Sequence, residues 1–407
     1  MILGASRLTQ AWAFVAGCYA SNGAGRDRKK SGPLASGQHH FSGIGQIKSV
    51  TPNRERRSAV KLARFVIDTH VHVQRHAAGP QFKKLGLADP KKIQYRDLAG
   101  IMPHLTTYDN SKRLLYDMDR YGVDMCILHP AFGMNNEKNA ELVAKYPDKF
   151  RALAQAKGTA EKAIAGETEW SIEAAADELD KLLSSGKFVG IGEGMPARPP
   201  TSDLNRTYSQ TERMDELRKV MDVARKHKVP VRVHTGSPMG YQITYTRWPE
   251  NWHPNWIRDL AAEYPDVPII FDHGGMQGGR SEHLVEECIE VAANTTNVYL
   301  ETGMYWTELY YKALSDPNVG PEKLMWGTDW GASIPIQTQL GQKPQTFAAQ
   351  VHKHGILTHQ SDIMGWSLKQ VSRLDISQDD LNLIMAGNAL RVYKIDFQIT
   401  RMFRMVE

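Results

Sequence analysis

The strongest constraint on the fold is a repeated alternation of short apolar runs and amphipathic segments that begins at residue 65. Eight apolar runs have the length of strands, and most are separated by segments with apolar residues every three or four positions, the spacing of a helix. This order predicts an α/β fold, a (β/α)8 TIM barrel. The predicted strands are residues 65–73, 123–129, 150–156, 187–193, 229–234, 267–273, 297–302 and 323–329.

A doubly wound open sheet is the alternative architecture. It calls for a glycine-rich phosphate turn after the first strand, and the sequence has none there. Capping boxes support two helix starts, Ser209 with Glu212 and Ser377 with Asp380. In a barrel, the long connections 74–110, 235–253 and 331–376 would lie over the mouth at the carboxyl ends of the strands.

Composition excludes several classes of protein. Residues 1–64 hold eleven Lys/Arg and two Asp/Glu, so the rest of the chain has a net charge of −4 and gives no reason to expect nucleic-acid binding. Three cysteines without a C-x-x-C pair favour a reducing compartment, and no apolar run is long enough to span a bilayer. A cytoplasmic location is therefore favoured. Val15-Ala16-Gly17-Cys18 resembles a lipoprotein cleavage box, so export through Cys18 is the alternative.

Chemically active residues fall at the carboxyl ends of the predicted strands. In a barrel these ends converge on one mouth, so residues distant in sequence would meet. Imidazoles and carboxylates are ligands for a borderline divalent ion such as zinc. One histidine at a strand end is usually structural, but a whole set is hard to explain by packing, so the pattern favours a metal site. The set comprises His70, His72, Glu193, His234, His273 and Asp329.

This pattern resembles the amidohydrolase superfamily, within it the amidohydrolase-related group that includes aminocarboxymuconate-semialdehyde decarboxylase and aromatic-acid decarboxylases. Two further stretches are similar to that group, Trp326-Gly327-Thr328-Asp329-Trp330 and Gly387-Asn388-Ala389-Leu390-Arg391-Val392-Tyr393. The resemblance covers roughly residues 65–396. It leaves 1–64 as a disordered tail or targeting segment and 397–407 as a C-terminal tail.

The resemblance implies a role for each site residue. His70, His72, His234 and Asp329 would hold one divalent ion, with zinc favoured, and a water or substrate oxygen would take the open position. His273 would be a catalytic histidine beside the metal, and Asp329 would move a proton as well as bind the ion. The group often forms pairs, which makes a homodimer the expected assembly.

Three features leave alternatives open. Glu193 could bind a second metal, as carboxylates of the fourth strand do in other branches. Alternatively, it could accept a hydrogen bond from a metal-binding residue or contact the substrate. Arg232 could bind a substrate carboxylate, or form an internal salt bridge. Tyr241, Arg247 and Trp248 form an aromatic loop with one cation that suits a planar, anionic substrate, although the aromatic residues could equally anchor the loop.

Three functions follow. The favoured one is non-oxidative decarboxylation of a small-molecule substrate, an aromatic or unsaturated carboxylic acid. The second is metal-dependent hydrolysis of an amide, ester or lactone, which Glu193 motivates. The third is a barrel that binds small molecules without catalysis, and it is disfavoured because no expected ligand position is substituted.

Overall fold

The computed structural model describes residues 65–77, 106–130, 135–165, 167–193, 208–235, 252–276, 284–331 and 362–396. Seven parallel strands line the barrel: β1 (Ile67–Val71), β4 (Met125–Leu128), β5 (Phe150–Ala152), β6 (Val231–His234), β7 (Ile269–Asp272), β8 (Val298–Glu301) and β9 (Leu324–Met325). They pair in the orders β1-β4-β5 and β6-β7-β8-β9. An antiparallel hairpin of β2 (Gln74–Ala77) and β3 (Thr106–Asp109) follows β1 and was not predicted.

Single parallel bridges close the two sheets into one ring. Ile191 pairs with Ala154 on one side and with Val231 on the other, and Val71 pairs with Trp330. The backbone amides of Thr69 and His72 also donate to carbonyl oxygens of the 326–330 segment. The predicted barrel is therefore confirmed, with residue 191 in the fourth strand position.

The predicted strand 187–193 is reduced to that bridge. Gly190 and Gly192 flank Ile191, and a Cβ at Gly190 would lie 3.0 Å from both Leu153 Cδ2 and the carbonyl oxygen of Pro230. Glycine weakens a regular strand and marks a place where neighbouring groups approach closely. The segment still makes barrel hydrogen bonds, for example from Ile191 N to Pro230 O at 2.9 Å.

Helices follow the strands and cover the outside of the ring. The two predicted capping boxes are present at Ser209 and Ser377. The helices are α1 (Ser111–Tyr121), α2 (Asn136–Lys145), α3 (Lys157–Ala165), α4 (Ile172–Ser184), α5 (Gln210–His227), α6 (Pro254–Glu263), α7 (Val285–Ala293), α8 (Thr307–Ser315), α9 (Ile363–Val371), α10 (Gln378–Asn382) and α11 (Asn388–Val392).

Two buried clusters divide the apolar core. The larger lies between the strands and the outer helices and includes Val71, Val233 and Phe271. The smaller takes the alternate strand residues, such as Ile270 and Met325, and joins them to side chains of α11 and to Tyr393. Because neighbouring strand residues face opposite sides, this smaller cluster fills the barrel interior, and the C-terminal segment covers its lower end.

Candidate metal centre

The first strand brings His70 and His72 into the barrel mouth through an irregularity. The pairing of β1 with β4 shifts register between Asp68 and Val71. Ile67 packs in the interior cluster, whereas Val71 packs in the outer one, so the alternation does not run evenly through the strand. Such a shift re-aims side chains next to functional sites. A regular strand would place Ile67 on the same face as Val71, four residues later.

Four ligand atoms from three parts of the ring gather at one point. His70 Nε2 lies 3.2 Å from His72 Nε2, 3.5 Å from Glu193 Oε2 and 3.7 Å from Asp329 Oδ1. His72 Nε2 lies 3.2 Å from Glu193 Oε2 and 3.3 Å from Asp329 Oδ1. We call His70, His72, Glu193 and Asp329 the mouth cluster.

These spacings match the edges of a metal coordination sphere. Metal–ligand bonds of about 2.0–2.2 Å place neighbouring ligand atoms about 3.3–3.6 Å apart in a tetrahedral site and about 2.8–3.1 Å apart in an octahedral one, so the observed separations are nearest to the tetrahedral edge. Within the described part of the chain, Glu193 Oε2 is buried and has no hydrogen-bond partner despite its close nitrogen neighbours. Atoms that face a common point rather than one another behave in this way, so the mouth cluster fits a divalent ion.

His234 lies in a second, adjoining set. Its Nε2 is 3.4 Å from Glu193 Oε1, the oxygen that faces away from the first set. Glu193, His234 and His273 offer ligand atoms within 4.8 Å of one another, as do His70, His72 and Asp329. The structure therefore groups three of the four predicted ligands directly and connects His234 to them through Glu193.

His273 follows the last residue of β7 and lies beside the site. Its ring centroid is 4.8 Å from that of His70 and 5.0 Å from that of His234. Burial, with the nearby charge of His70, lowers the pKa of His273 to about 4. His273 and Asp329 have left-handed backbones, with φ of 60° and 55°. Such conformations are costly for residues other than glycine and cluster at functional sites.

The charges around the mouth cluster favour a cation at its centre. Burial would lower the pKa of His70, but Glu301 and Glu193 outweigh burial and raise that pKa well above its ordinary value. For Asp329, burial would raise the pKa, yet His72 and His70 hold it below the usual range. A divalent ion would supply the positive charge that these carboxylates otherwise draw from protonated imidazoles.

Arg232, a predicted substrate contact, is buried inside the barrel. Its side chain is 0% exposed and forms an ion pair with Asp272. Nη1 donates to the Thr69 carbonyl at 2.7 Å and to the Tyr393 hydroxyl at 3.1 Å. The internal salt bridge, which the sequence left open as an alternative, is therefore present, and the substrate contact stays a prediction. We call Arg232, Asp272, Glu301 and Tyr393 the interior network.

Glu301 was not singled out in the sequence, although it is the last residue of β8. Its side chain is 0% exposed, and Oε2 lies 2.9 Å from His70 Nδ1. His70 and Arg232 oppose the effect of burial and lower the pKa of Glu301 to about 2. The rule that polar residues lie at the ends of the barrel strands would have identified Glu301, since it is the next-to-last residue of the predicted strand 297–302.

Two further residues support the first strand. Asp68 accepts hydrogen bonds from the backbone amides of His70 and Thr328, both at 3.1 Å, and from the Thr328 hydroxyl at 2.5 Å. His129 stacks on the His70 ring with centroids 4.4 Å apart.

The remaining predicted substrate contacts, Tyr241, Arg247 and Trp248, lie outside the described residues, as does Cys18.

The family model described as "Amidohydrolase" matches residues 67–395, most of the chain. The chain belongs to the amidohydrolase family. It is thus an enzyme of the amidohydrolase superfamily, as the resemblance implied. A comparison with curated proteins found no match. In the described part of this amidohydrolase, no helix is both long and apolar enough to cross a membrane.

Solved structures with a similar course of the chain include two decarboxylases and a hydrolase. The 5-carboxyvanillate decarboxylase of Sphingomonas paucimobilis is 14% identical, with a TM-score of 0.49, and the match covers 82% of this chain and 100% of that one. A 2,6-dihydroxybenzoate decarboxylase is 17% identical, with a TM-score of 0.49 and coverage of 81% and 100%. A probable 2-pyrone-4,6-dicarboxylic acid hydrolase of Acinetobacter baumannii is 14% identical, with a TM-score of 0.45 and coverage of 81% and 99%.

Proposed function

We propose that this amidohydrolase is a metal-dependent carboxy-lyase that releases carbon dioxide from an aromatic or unsaturated carboxylic acid. The observation that carries the proposal is the convergence of the four mouth-cluster atoms, with five of their separations at 3.2–3.7 Å. The residues that would hold the ion are His70, His72, Glu193 and Asp329. Glu193 thus joins the predicted set, and His234 stands next to it.

A bound divalent ion supplies Lewis acidity and fixes an oxygen of the substrate. The ion is the proposed binding group for the substrate carboxylate, because Arg232 is ion-paired with Asp272 and is not available to bind it. In the reaction the bond from the ring or vinyl carbon to the carboxylate breaks, carbon dioxide leaves, and the carbon takes up one proton. We assign Asp329 and His273 to take up and then deliver that proton, because both lie beside the other mouth-cluster residues and His273, with a pKa of about 4, is neutral near pH 7.

The metal at this site is proposed only as a divalent ion. The two-histidine, two-carboxylate donor set accommodates zinc and also manganese, which accepts more oxygen ligands. Loading the purified enzyme with each metal separately, followed by metal analysis, decides between them. The matched variant His72→Ala should hold much less of the preferred ion.

A second candidate function, hydrolysis of an amide, ester or lactone, is favoured by the position of Glu193. One of its oxygens faces His70 and His72, and the other lies 3.4 Å from His234 Nε2. A carboxylate placed between two sets of imidazoles suits two adjacent ions, an arrangement that supports hydrolytic chemistry. Two metal ions per chain, falling to one in His234→Ala, would support this candidate.

The deciding experiment presents the metal-loaded enzyme with aromatic and unsaturated acids and, in parallel, with lactones, esters and amides. Release of carbon dioxide that disappears in His72→Ala is the expected result. Hydrolysis without carbon dioxide release would replace the first function by the second. A wild-type protein that binds no divalent ion would remove both, and would revive the small-molecule binding barrel.

A further inference from the structure

Glu301 joins the proposed metal site to the interior network through one oxygen atom. Oε2 lies 2.9 Å from His70 Nδ1, accepts a hydrogen bond of 3.0 Å from the backbone amide of His273, and is 3.4 Å from Arg232 Nη2. The side chain is fully buried. One carboxylate therefore contacts both a proposed metal ligand and the backbone of the proposed catalytic histidine.

The contact with His70 decides which nitrogen of its ring is free. An ionised carboxylate only accepts hydrogen bonds, and Glu301 Oε2 at 2.9 Å is closer to His70 Nδ1 than the donor Arg232 Nη2 at 3.4 Å, so the proton of a neutral His70 belongs on Nδ1. The lone pair is then on Nε2, the atom that lies 3.2–3.7 Å from the other mouth-cluster atoms. Carboxylate partners of this kind orient metal-binding imidazoles and make them stronger ligands.

The contact with His273 holds a strained backbone. His273 has a φ of 60°, a conformation that a residue with a side chain adopts only when its surroundings enforce it. The hydrogen bond from its amide to Glu301 is one such constraint, and it fixes where the imidazole begins. The same carboxylate thereby sets the relative position of the His70 and His273 rings, whose centroids are 4.8 Å apart.

Two glycines leave room for Glu301. A Cβ at Gly303 would lie 2.7 Å from Glu301 Oε1 and 3.1 Å from His273 Nδ1. At Gly327, a Cβ would collide with the Glu301 side chain, which supplies all three of its nearest neighbours. Neither glycine has a left-handed backbone, so the space they leave, rather than backbone freedom, explains glycine at these positions.

We propose that Glu301 is a positioning residue that selects the metal-binding tautomer of His70 and, with the same oxygen, places His273 beside the ion. This inference rests on the proposed metal site. It adds a residue from the seventh strand position of the barrel to the machinery, and it gives the interior network a role in metal binding.

The test measures the dissociation constants of zinc and of manganese by competition with a fluorescent chelator, for the wild type and for Glu301→Gln. The substitution keeps the size of the side chain and removes its charge. Loss of such a partner typically weakens metal binding about 10–100-fold, which is the expected result. The readout is metal affinity, so it does not depend on knowing the substrate.

Glu178→Gln is the matched control. Glu178 accepts hydrogen bonds from the backbone amides of Gly158 and Thr159, at 2.8 and 2.7 Å, on the outer layer of the barrel. It is thus a carboxylate that holds backbone without touching the mouth cluster. We expect its loss to lower the melting temperature and to leave both metal dissociation constants unchanged.

Gly327→Ala is the second variant, because Glu301→Gln could fail to fold. The added methyl group meets Glu301 and should displace it, so metal binding should weaken in the same direction with the carboxylate retained. Wild-type metal affinity in a folded Glu301→Gln protein would overturn the inference. If that variant does not fold, wild-type affinity in Gly327→Ala would overturn it. A wild type that binds no divalent ion would instead overturn the proposed function.

Discussion

The mouth cluster and the interior network are neighbouring groups of charged side chains that differ in how they are bonded. In the interior network Arg232 reaches Asp272, the Tyr393 hydroxyl and the Thr69 carbonyl, so a cation of the chain itself holds the group together, although Asp272 Oδ2 and Glu301 Oε1 have no hydrogen bond within the described residues. In the mouth cluster the contacts are 3.2–3.7 Å long, and Glu193 Oε2 is buried without a hydrogen bond within the described chain. The four ligand atoms of the mouth cluster surround a common point without a lysine or arginine among them, so we expect this cluster to bind a cation from outside the chain.

The difference predicts that the interior network contributes to the stability of the fold and that the mouth cluster contributes to function. A closed network of buried charges contributes mainly through the cost of breaking it, since each lost partner leaves an uncompensated charge. A cluster of ligands facing one point has little to lose when one member is removed, but it then loses its affinity for the ion. Substitutions in the interior should therefore change folding, and substitutions at the mouth should change metal binding or turnover.

The largest effect is expected for Arg232→Met. It leaves Asp272 and Glu301 buried without their cation, and the metal-free protein should lose about 3–5 kcal/mol of unfolding free energy. Urea denaturation in the presence of a chelator measures the loss. Arg218→Met is the control, because Arg218 forms a surface ion pair with Glu263 and should cost only about 0–1 kcal/mol. Equal losses in the two variants would contradict the distinction.

Among the variants that keep the metal, His273→Asn should lower the turnover rate most. Asparagine tolerates the left-handed backbone that His273 adopts, so the fold should be preserved. Loss of a group that moves a proton typically lowers the rate about 10²–10⁴-fold. Steady-state assay of whichever activity the substrate panel reveals gives the rate, and metal analysis gives the occupancy. Loss of the metal together with activity would show that His273 is a ligand rather than a proton carrier.

Metal-dependent stability tests the mouth cluster itself. At a free metal concentration 100 times the dissociation constant, a ligand that binds only the folded state adds about 2.7 kcal/mol to unfolding free energy. The wild type should show this gain, measured as the difference between denaturation with metal and with chelator. His72→Ala should gain far less at the same concentration. An equal gain in His72→Ala would place the ion elsewhere.

The barrel was predictable from sequence because its signals are local. Runs of apolar residues, helical spacing and capping boxes at Ser209 and Ser377 each depend on a few neighbouring residues. The predicted strand 187–193 is reduced to one bridge because pairing through Ile191 is set by neighbours across the ring, which a local pattern does not report. The antiparallel pairing of β2 with β3 joins the two ends of the long connection 74–110, whose sequence carries no strong strand pattern.

The site was predictable in its members but not in their partners. His70, His72, Glu193 and Asp329 were identified because each ends a strand, and strand ends converge in a barrel. What the sequence could not decide was the partner of Arg232, because a buried arginine and a substrate-binding arginine follow the same pattern along a strand. The register shift in β1 was also hidden, since it depends on the pairing of Asp68 and Val71 with β4.

The smallest effect is expected for His129, which borders both groups. Its ring stacks on His70, and its Nε2 lies 2.9 Å from the Thr69 carbonyl. Burial and the charge of Arg232 lower the pKa of His129 well below its ordinary value, so the ring is neutral. His129→Phe keeps an aromatic ring beside His70 and removes one hydrogen bond, which should cost about 1 kcal/mol and leave metal affinity unchanged.

Metal titration of His129→Phe decides the group to which His129 belongs. Its ligand atom lies within 4.8 Å of those of His70 and Glu193, so geometry alone would also allow a role in holding the ion. The bond to Thr69 occupies Nε2, so a role in holding the ion would fall to Nδ1, which is buried without a hydrogen bond within the described residues. A loss of metal affinity as large as that expected for Glu301→Gln would move His129 into the mouth cluster. It would also assign the metal contact to Nδ1, the ring nitrogen of His129 that is not bonded to Thr69.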